Sequence, residues 1–482
     1  MPDLRPVLFV VGLMLAGLGV TMFVPMVVDL SYGDESWQAF GISGFVTSLF
    51  GTIMALTSYS PKARLRARGA FLLTTLSWIS LAAFAAMPLF MANIGLGLTD
   101  ALFEAVSGIT TTGSTVMTGL DDANKGVLMW RAILQWIGGV GIIVTAMAIL
   151  PMLKIGGMQL FRMESSEMGE KIIPKTGQLA AAIGGIYLAL TLLCMTGYMI
   201  TGMGGFDAIA HAMTTIATGG YSTSDASLGG FMDNGADLVA ITFMLAGALP
   251  FGVYLLAVRG SFKPALSDPQ MRGFLMVIAL LIMLVTFYLW ISDVYLGKQA
   301  LRLSAFNVIS VVTGTGYATA DYNAWGPFAV SVFFAFMFIG GCAGSTACSI
   351  KIFRYQVAFE AMRAYMFKMP RRHAVAPMRY GGKPLPNSVV YSVLGFFFLF
   401  FTCFAVVAIL LSIIGLDPIT AWSGAASAVA NVGPGLGDVI GPAGTYQSLP
   451  NTAKWVLMAG MLIGRLEIVT ALVLLTPSFR RA

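Results

Sequence analysis

Apolar and polar positions along this chain fall into long blocks. Ten apolar runs reach the ~20 residues that a helix needs to cross a hydrocarbon core. They lie at 7–29, 40–59, 70–92, 127–150, 178–201, 237–258, 273–293, 325–347, 388–415 and 453–476. The pattern predicts an all-α polytopic membrane protein with ten transmembrane helices. The first run lacks the small-residue cleavage region of a signal peptide and reads as a retained span. A second pattern recurs between spans. A half-length helical segment of about 12 residues, too short to cross a bilayer, leads into a polar, glycine-bearing stretch. The four stretches are "TTTGST" (110–115), "TGGYST" (218–223), "TGTGYAT" (313–319) and "NVGPGLG" (431–437).

Aligned without gaps on Gly113, Gly220, Gly316 and Gly433, the preceding segments read "DALFEAVSGITTTG", "DAIAHAMTTIATGG", "LSAFNVISVVTGTG" and "TAWSGAASAVANVG". Ser107, Thr214, Ser310 and Ser427 share one aligned position, and Ile109, Ile216, Val312 and Val429 another. Such self-similarity marks repeated structural units. Each unit runs span, re-entrant half-helix, glycine loop, span. The expected organisation is a two-helix preface (1–60) and four pore repeats, 61–155, 170–260, 270–365 and 385–482, in pseudo-fourfold order around one ion pore. Irregular backbone at membrane depth survives only where it is buried in protein or lines a water-filled cavity. Four such loops at matching depth are satisfied around a common axis. Glycine supplies the φ > 0 that lets carbonyls turn toward that axis, and rings of carbonyls can replace the hydration shell of an alkali cation. A single loop of this kind would read as a glycine helix cap; four in register change the inference.

Composition sharpens this picture. The chain is 57% hydrophobic and 10% charged, against about 25% charged residues in a soluble domain. The Lys and Arg residues cluster in alternate loops: 61–69, then Lys154 and Arg162, then Arg259 and Lys263, then 351–383, then Arg480 and Arg481. By the positive-inside rule these loops and both termini are cytoplasmic. The net charge of +6 is thus a topology signal rather than a nucleic-acid-binding one, although the long basic loop remains open as a docking surface. Cys194, Cys342, Cys348 and Cys403 show no CxxC spacing and read as packing residues. With two distant histidines, His211 and His373, a His/Cys metal centre is not expected. "GPGLGDVIG" mimics a dinucleotide loop but lacks a βαβ setting, and no Walker lysine follows a glycine run. No enzyme is expected.

The repeated order of span, pore helix, glycine loop and span resembles the superfamily of Trk, Ktr and HKT potassium transporters, in particular its bacterial TrkH-type uptake subunits. "WRAILQWIGGVGIIV", "TGTGYAT", "GGCAGSTACSIKIFR" and "NVGPGLG" carry the resemblance, which spans the whole chain. It implies potassium uptake through a single-chain pore, K+ as the permeant ion, and no organic cofactor in this chain. It also implies a homodimer in the bacterial inner membrane with a cytoplasmic TrkA-type nucleotide-binding ring. The filter carbonyls it implies belong to Thr111, Thr112 and Gly113; Thr218, Gly219 and Gly220; Gly314, Thr315 and Gly316; and Asn431, Val432 and Gly433. The fourth loop lacks the Gly-aromatic pair of Tyr221 and Tyr317, and Gly435 competes there with Gly433. No repeat carries TVGYG, so potassium selectivity over sodium is expected to be imperfect.

"GGCAGSTACS" (340–349) interrupts the second span of the third repeat. Small residues there read either as tight helix packing or, as the resemblance implies, as an intramembrane gating loop that includes Gly340, Gly341, Cys342, Ala343, Gly344 and Ser345. Arg465 lies inside an apolar run and is a functional candidate on that ground: either it faces the pore and holds the closed loop, or it pairs with Glu467 or another carboxylate. Asp100, Glu104, Asp207 and Asp438 are expected near the external mouth, where they would concentrate cations; helix capping explains Asp100 and Asp207 equally well. His211 reads as packed rather than as a proton relay. Two mechanisms follow, a gated channel-like conductor and, as the alternative, a proton- or sodium-coupled symporter with alternating access. The few intramembrane carboxylates favour the conductor.

Overall fold

The computed structural model describes residues 4–60, 67–144, 176–261, 267–370, 376–466, 468, 472 and 473. Lys154, Arg162, Lys263, His373, Glu467, Arg480, Arg481 and most of the 61–69 basic run lie outside the described residues. Among the described residues the chain is mostly helical. Seven helices are long and apolar enough to cross a membrane: Arg5–Tyr32, Trp37–Ser58, Arg68–Met91, Lys125–Ile143, Gln178–Ile200, Pro269–Ile291 and Asn387–Ile413. This is a multi-pass membrane protein.

Two of the ten expected spans differ from continuous helices. The sixth is broken between Ala236–Ala248 and Phe251–Val258, which meet at 94°. Pro250 explains the break, because it has no N–H to donate and it drives Leu249 into extended backbone (ψ 157°). The eighth is a ten-residue helix, Pro327–Phe336, followed by the non-helical stretch that its small residues foreshadowed. The two breaks satisfy each other. Ala248 O accepts from Cys342 N at 3.0 Å, Gly247 O from Thr346 N at 3.1 Å, and Gly344 O from Phe251 N at 2.9 Å. Carbonyls that a continuous helix would have used internally are thereby paired away from lipid. A parallel bridge of Ile339 to Ile350 and Gly340 to Lys351 closes the stretch at its base. The tenth expected span is helical over Asn451–Arg465.

The half-length segments are helices: Leu98–Ile109, Gly205–Ile216, Gly297–Thr313 and Pro418–Ala430. The third, at 17 residues, is longer than the expected twelve or so. Asp417 caps the fourth by accepting from Thr420 N at 3.0 Å, and its hydrogen bonds to Thr420 hold its carboxyl below the usual range. Residues of all four short helices belong to the main hydrophobic core. Burial ranks the spans around them: 72% of the apolar window of Lys125–Ile143 is buried, against 22% for Gln178–Ile200 and for Pro269–Ile291. The first is a central helix, and the other two are peripheral.

The two-helix preface fixes that central helix. Gly12 and Gly19 pack against Gly51, Ala55, Ser48 and Gly44, where any Cβ on Gly12, Gly19 or Gly51 would meet backbone closer than 3.0 Å, as small-residue packing in membranes requires. From the end of the first span, buried Asp29 accepts from Gly126 N at 2.5 Å and from Ser36 Oγ at 2.6 Å. Asp34 accepts from Lys125 N at 2.9 Å. Two carboxylates thus satisfy amides at the start of the Lys125–Val144 helix. Asp29→Ala leaves Gly126 N–H unpaired; the variant is expected to lose about 1–2 kcal/mol, read as a lower thermal-unfolding midpoint in detergent.

Candidate functional site

Each short helix ends in the same backbone closure. The N–H groups of Thr112, Gly219, Thr315 and Val432 reach back to the carbonyls of Ser107, Thr214, Ser310 and Ser427 at 2.9, 2.9, 2.9 and 3.0 Å. The residue before each donor is left-handed: Thr111 at φ 52°, Thr218 at 49°, Gly314 at 72° and Asn431 at 53°. This is a Schellman-type helix end. Threonine is a costly occupant of that region, so the surrounding packing must hold Thr111 and Thr218 there. Two residues on, Gly113, Gly220, Gly316 and Gly433 return to positive φ, at 86°, 79°, 80° and 108°. The fourth loop follows the pattern on Gly433; Gly435 is not at positive φ. Alternating the sign of φ turns successive peptide groups to one side of the chain.

The loops meet in a closed order. A Cβ on Gly113 would lie closer than 3.0 Å to Gly219 O, one on Gly220 to Thr315 O, one on Gly316 to Val432 O, and one on Gly433 to Thr112 O. First loop touches second, second touches third, third touches fourth, and fourth returns to first. All four glycines line one cavity of about 220 Å³. A second, tight cavity of about 30 Å³ is bordered by Ser345, Cys348, Lys351, Asn431 and Arg465, room for about one or two waters.

Side chains brace the loops from behind. The aligned serines donate into their own loops: Ser107 Oγ to Ser114 O at 2.6 Å, Ser310 Oγ to Tyr317 O at 2.7 Å, and Ser427 Oγ to Gly433 O at 2.7 Å. Gly433 O also accepts from Ser114 Oγ at 2.8 Å and Tyr446 Oη at 2.9 Å, which ties the fourth loop to the first and engages that carbonyl with hydroxyl donors. Thr214, in the second helix, instead donates to Ala210 O at 3.1 Å and shares a hydrogen bond with the Tyr317 hydroxyl. The second loop is braced by Gln135, whose Nε2 donates to Gly219 O at 2.6 Å while its Oε1 accepts from Tyr221 N at 3.0 Å.

The acidic residues divide in role. Glu104 is fully buried, not at a mouth; it pairs with Arg131 Nε at 2.7 Å and accepts from Val116 N and Thr115 Oγ1. Arg131 also donates to Ser222 O at 3.0 Å and lies 4.1 Å from the Tyr221 ring centre. Asp100 and Asp207 lie in the first turns of their helices, whose N-cap residues are Gly97 and Gly204. Asp100 pairs with Lys454 Nζ at 2.6 Å, and Asp207 accepts from Thr223 Oγ1 at 2.7 Å. Asp438 is exposed. His211 is buried, with Nδ1 at 2.8 Å from Asp207 O and Nε2 at 2.9 Å from Ser222 Oγ, so both ring nitrogens are satisfied by packing partners.

Gly340, Gly341, Cys342, Ala343, Gly344 and Ser345 are all buried. Thr346 Oγ1, just beyond them, donates to Ile216 O at 3.0 Å, at the end of the second short helix. Arg465, 4% exposed, donates through Nη1 to Cys348 Sγ, and Cys348 Sγ lies 3.6 Å from Thr111 Oγ1. Among the described residues Arg465 Nε and Nη2 have no hydrogen-bond partner; Glu467, the alternative partner, lies outside them. Arg131 and Gln135 hold the second loop and are not among the candidates named from the sequence. Their signal was present: two polar residues four apart, hence on one helix face, inside an apolar span.

Comparison with known proteins agrees over the whole chain. The family model described as TrkH, cation transport protein, matches residues 36–480. The chain is 45% identical over 478 residues to the Trk system potassium uptake protein TrkI of Halomonas elongata, covering 99% of this chain and 97% of that one. It is 36% identical over 482 residues to the Trk system potassium uptake protein TrkH of Escherichia coli, covering 99% of each. The crystal structure of the potassium transporter TrkH from Vibrio parahaemolyticus superposes with a TM-score of 0.92 at 36% identity, over 99% of both chains.

Removing one partner of a buried ion pair strands a charge at a cost of about 3–5 kcal/mol. Arg131→Met is therefore expected to give little monodisperse protein by size-exclusion chromatography. Glu104→Leu with Arg131→Met should recover part of that yield.

Proposed function

This chain belongs to the TrkH family of cation transport proteins, and from that premise we propose that it is a potassium uptake protein with channel-like permeation. The observation that carries the reading is the closed order of four loops with one shared backbone form. We assign the ion filter to the loops at Thr111, Thr112 and Gly113; Thr218, Gly219 and Gly220; Gly314, Thr315 and Gly316; and Asn431, Val432 and Gly433. The pore is built from four repeats, 61–155, 170–260, 270–365 and 385–482, behind a preface at 1–60. Ten membrane passages follow when the bent pair, the interrupted third-repeat segment and Asn451–Arg465 each count as one. A dehydrated alkali cation takes carbonyl oxygens in place of its water. Thr112, Gly219, Thr315 and Val432, each set against the aligned glycine of a neighbouring loop, are the residues placed to offer them together.

The 340–349 stretch is the gate in this reading. It lies against the tight cavity that borders the filter, and Arg465 latches it through Cys348 while opposing cations electrostatically. Its hydrogen bonds to the broken sixth span give movement in that span a direct route to the gate. The large cavity is external and the gate cytoplasmic, with both termini inside, in a bacterial inner membrane. The relatives named above are components of a Trk system; by analogy this chain works as a homodimer gated by a TrkA-type nucleotide-binding ring.

Radioactive rubidium uptake into liposomes holding the purified chain tests conduction. Uptake that follows an imposed membrane potential, with no need of a pH or sodium gradient, is expected; a strict requirement for either gradient would establish the coupled symporter instead. Gly316→Ala adds a Cβ at φ 80° against Val432 O, and strain of about 1–3 kcal/mol should lower selective uptake about tenfold or more. Deleting 341–346, or making Arg465→Ala, should raise basal flux without the cytoplasmic partner. Unchanged flux in both would remove the gate assignment.

A further inference from the structure

Three of the four residues that precede the aligned glycines carry side chains, Thr112, Thr315 and Val432, whereas the second loop has Gly219. Backbone conformation does not require glycine there, because Gly219 is not at positive φ. Space does. A Cβ on Gly219 would fall closer than 3.0 Å to three atoms of the Gln135 carboxamide. In the first and third loops the corresponding volume is filled from within: Thr112 Oγ1 bonds Thr110 Oγ1 at 2.7 Å, and Thr315 Oγ1 bonds Thr313 Oγ1 at 2.8 Å. The second loop also forgoes the serine brace of the other three, since Thr214 turns to Ala210 O and the Tyr317 hydroxyl. It therefore lacks both internal supports.

We infer that Gln135 is a specificity-determining positioning residue: a carboxamide supplied by the Lys125–Val144 helix replaces the missing wall of the second loop and tunes the Gly219 carbonyl. The inference rests on the ion-filter reading above. The amide has one workable orientation, since a carbonyl needs a donor and an N–H an acceptor. Its two bonds bracket Gly220, the glycine that abuts Thr315 O, so the register between second and third loops depends on it. The bond also draws on the Gly219 oxygen. Among the described residues, Gly219 is the member of the Thr112, Gly219, Thr315 and Val432 set whose carbonyl takes a side-chain donor. A carbonyl shared with a donor presents a weaker field to an ion. Weaker field favours the cation that is cheaper to dehydrate, potassium or rubidium over sodium. Gln135 is itself held: Arg131, one turn earlier on the same face, is locked by Glu104 and stacks on Tyr221, and Asp29 fixes the start of the helix.

The test is competition of rubidium uptake by sodium and by potassium in liposomes carrying the full chain. The ratio of the two half-inhibiting concentrations does not depend on how many molecules are folded or open. Gln135→Leu, and Gln135→Met as the variant that keeps length and loses the donor, should lower the sodium-to-potassium ratio about fivefold, the worth of one net hydrogen bond. Gly219→Thr alone should abolish uptake by colliding with the amide. Gly219→Thr with Gln135→Ala removes the collision and should restore uptake, with the ratio still about as low as in Gln135→Leu because the donor to that carbonyl is gone. A wild-type ratio in both single Gln135 variants, or in the double variant, overturns the inference. Should the unmodified chain take up rubidium without discriminating potassium from sodium, the filter reading falls as well. Should Gly316→Ala change the ratio while the Gln135 variants do not, this inference alone falls.

Discussion

Backbone that leaves the helix inside a membrane protein must find hydrogen bonds from protein, because hydrocarbon offers none. Everything at the centre of this molecule follows from how that constraint is met. Each short helix caps its own end with the bond that closes on Ser107, Thr214, Ser310 or Ser427, which leaves the next residues free to alternate between right- and left-handed backbone. The loops then fit because glycine stands where a neighbouring carbonyl comes too near for a side chain. Rigidity at the ring comes from mutual contact, and so from all four loops being present at once.

The four loops share a backbone and differ in support. Serine hydroxyls brace three of them from their own helices, whereas the second leans on the Lys125–Val144 helix through Gln135 and Arg131. That helix is in turn anchored by carboxylates of the preface, Asp29 and Asp34. A line of polar contacts thus runs from the preface to the ring through one buried helix.

The same accounting explains the interrupted segments. A proline break in one span and a run of small residues in another would each expose unsatisfied peptides, and together they satisfy one another. A segment held by a few such hydrogen bonds opens at lower cost than a continuous helix.

Much was legible in the sequence because it depends on local rules. Span length, the half-length helices, the glycine positions and the interruption at 340–349 follow from hydropathy, helix length and the conformational freedom of glycine. Other features were not legible, since they depend on which distant segments meet. Pro250 alone did not announce a 94° bend, because a proline in a span can also be absorbed as a mild kink. Glu104 reads as a mouth carboxylate until Arg131 is placed beside it. Gln135 is one polar residue in an apolar run until the space over Gly219 shows what it fills. The sequence by itself determined which backbone could leave the helix and where; the tertiary structure decided which side chain, from which segment, would satisfy it, because those partners lie up to hundreds of residues apart and pair only once the helices have packed.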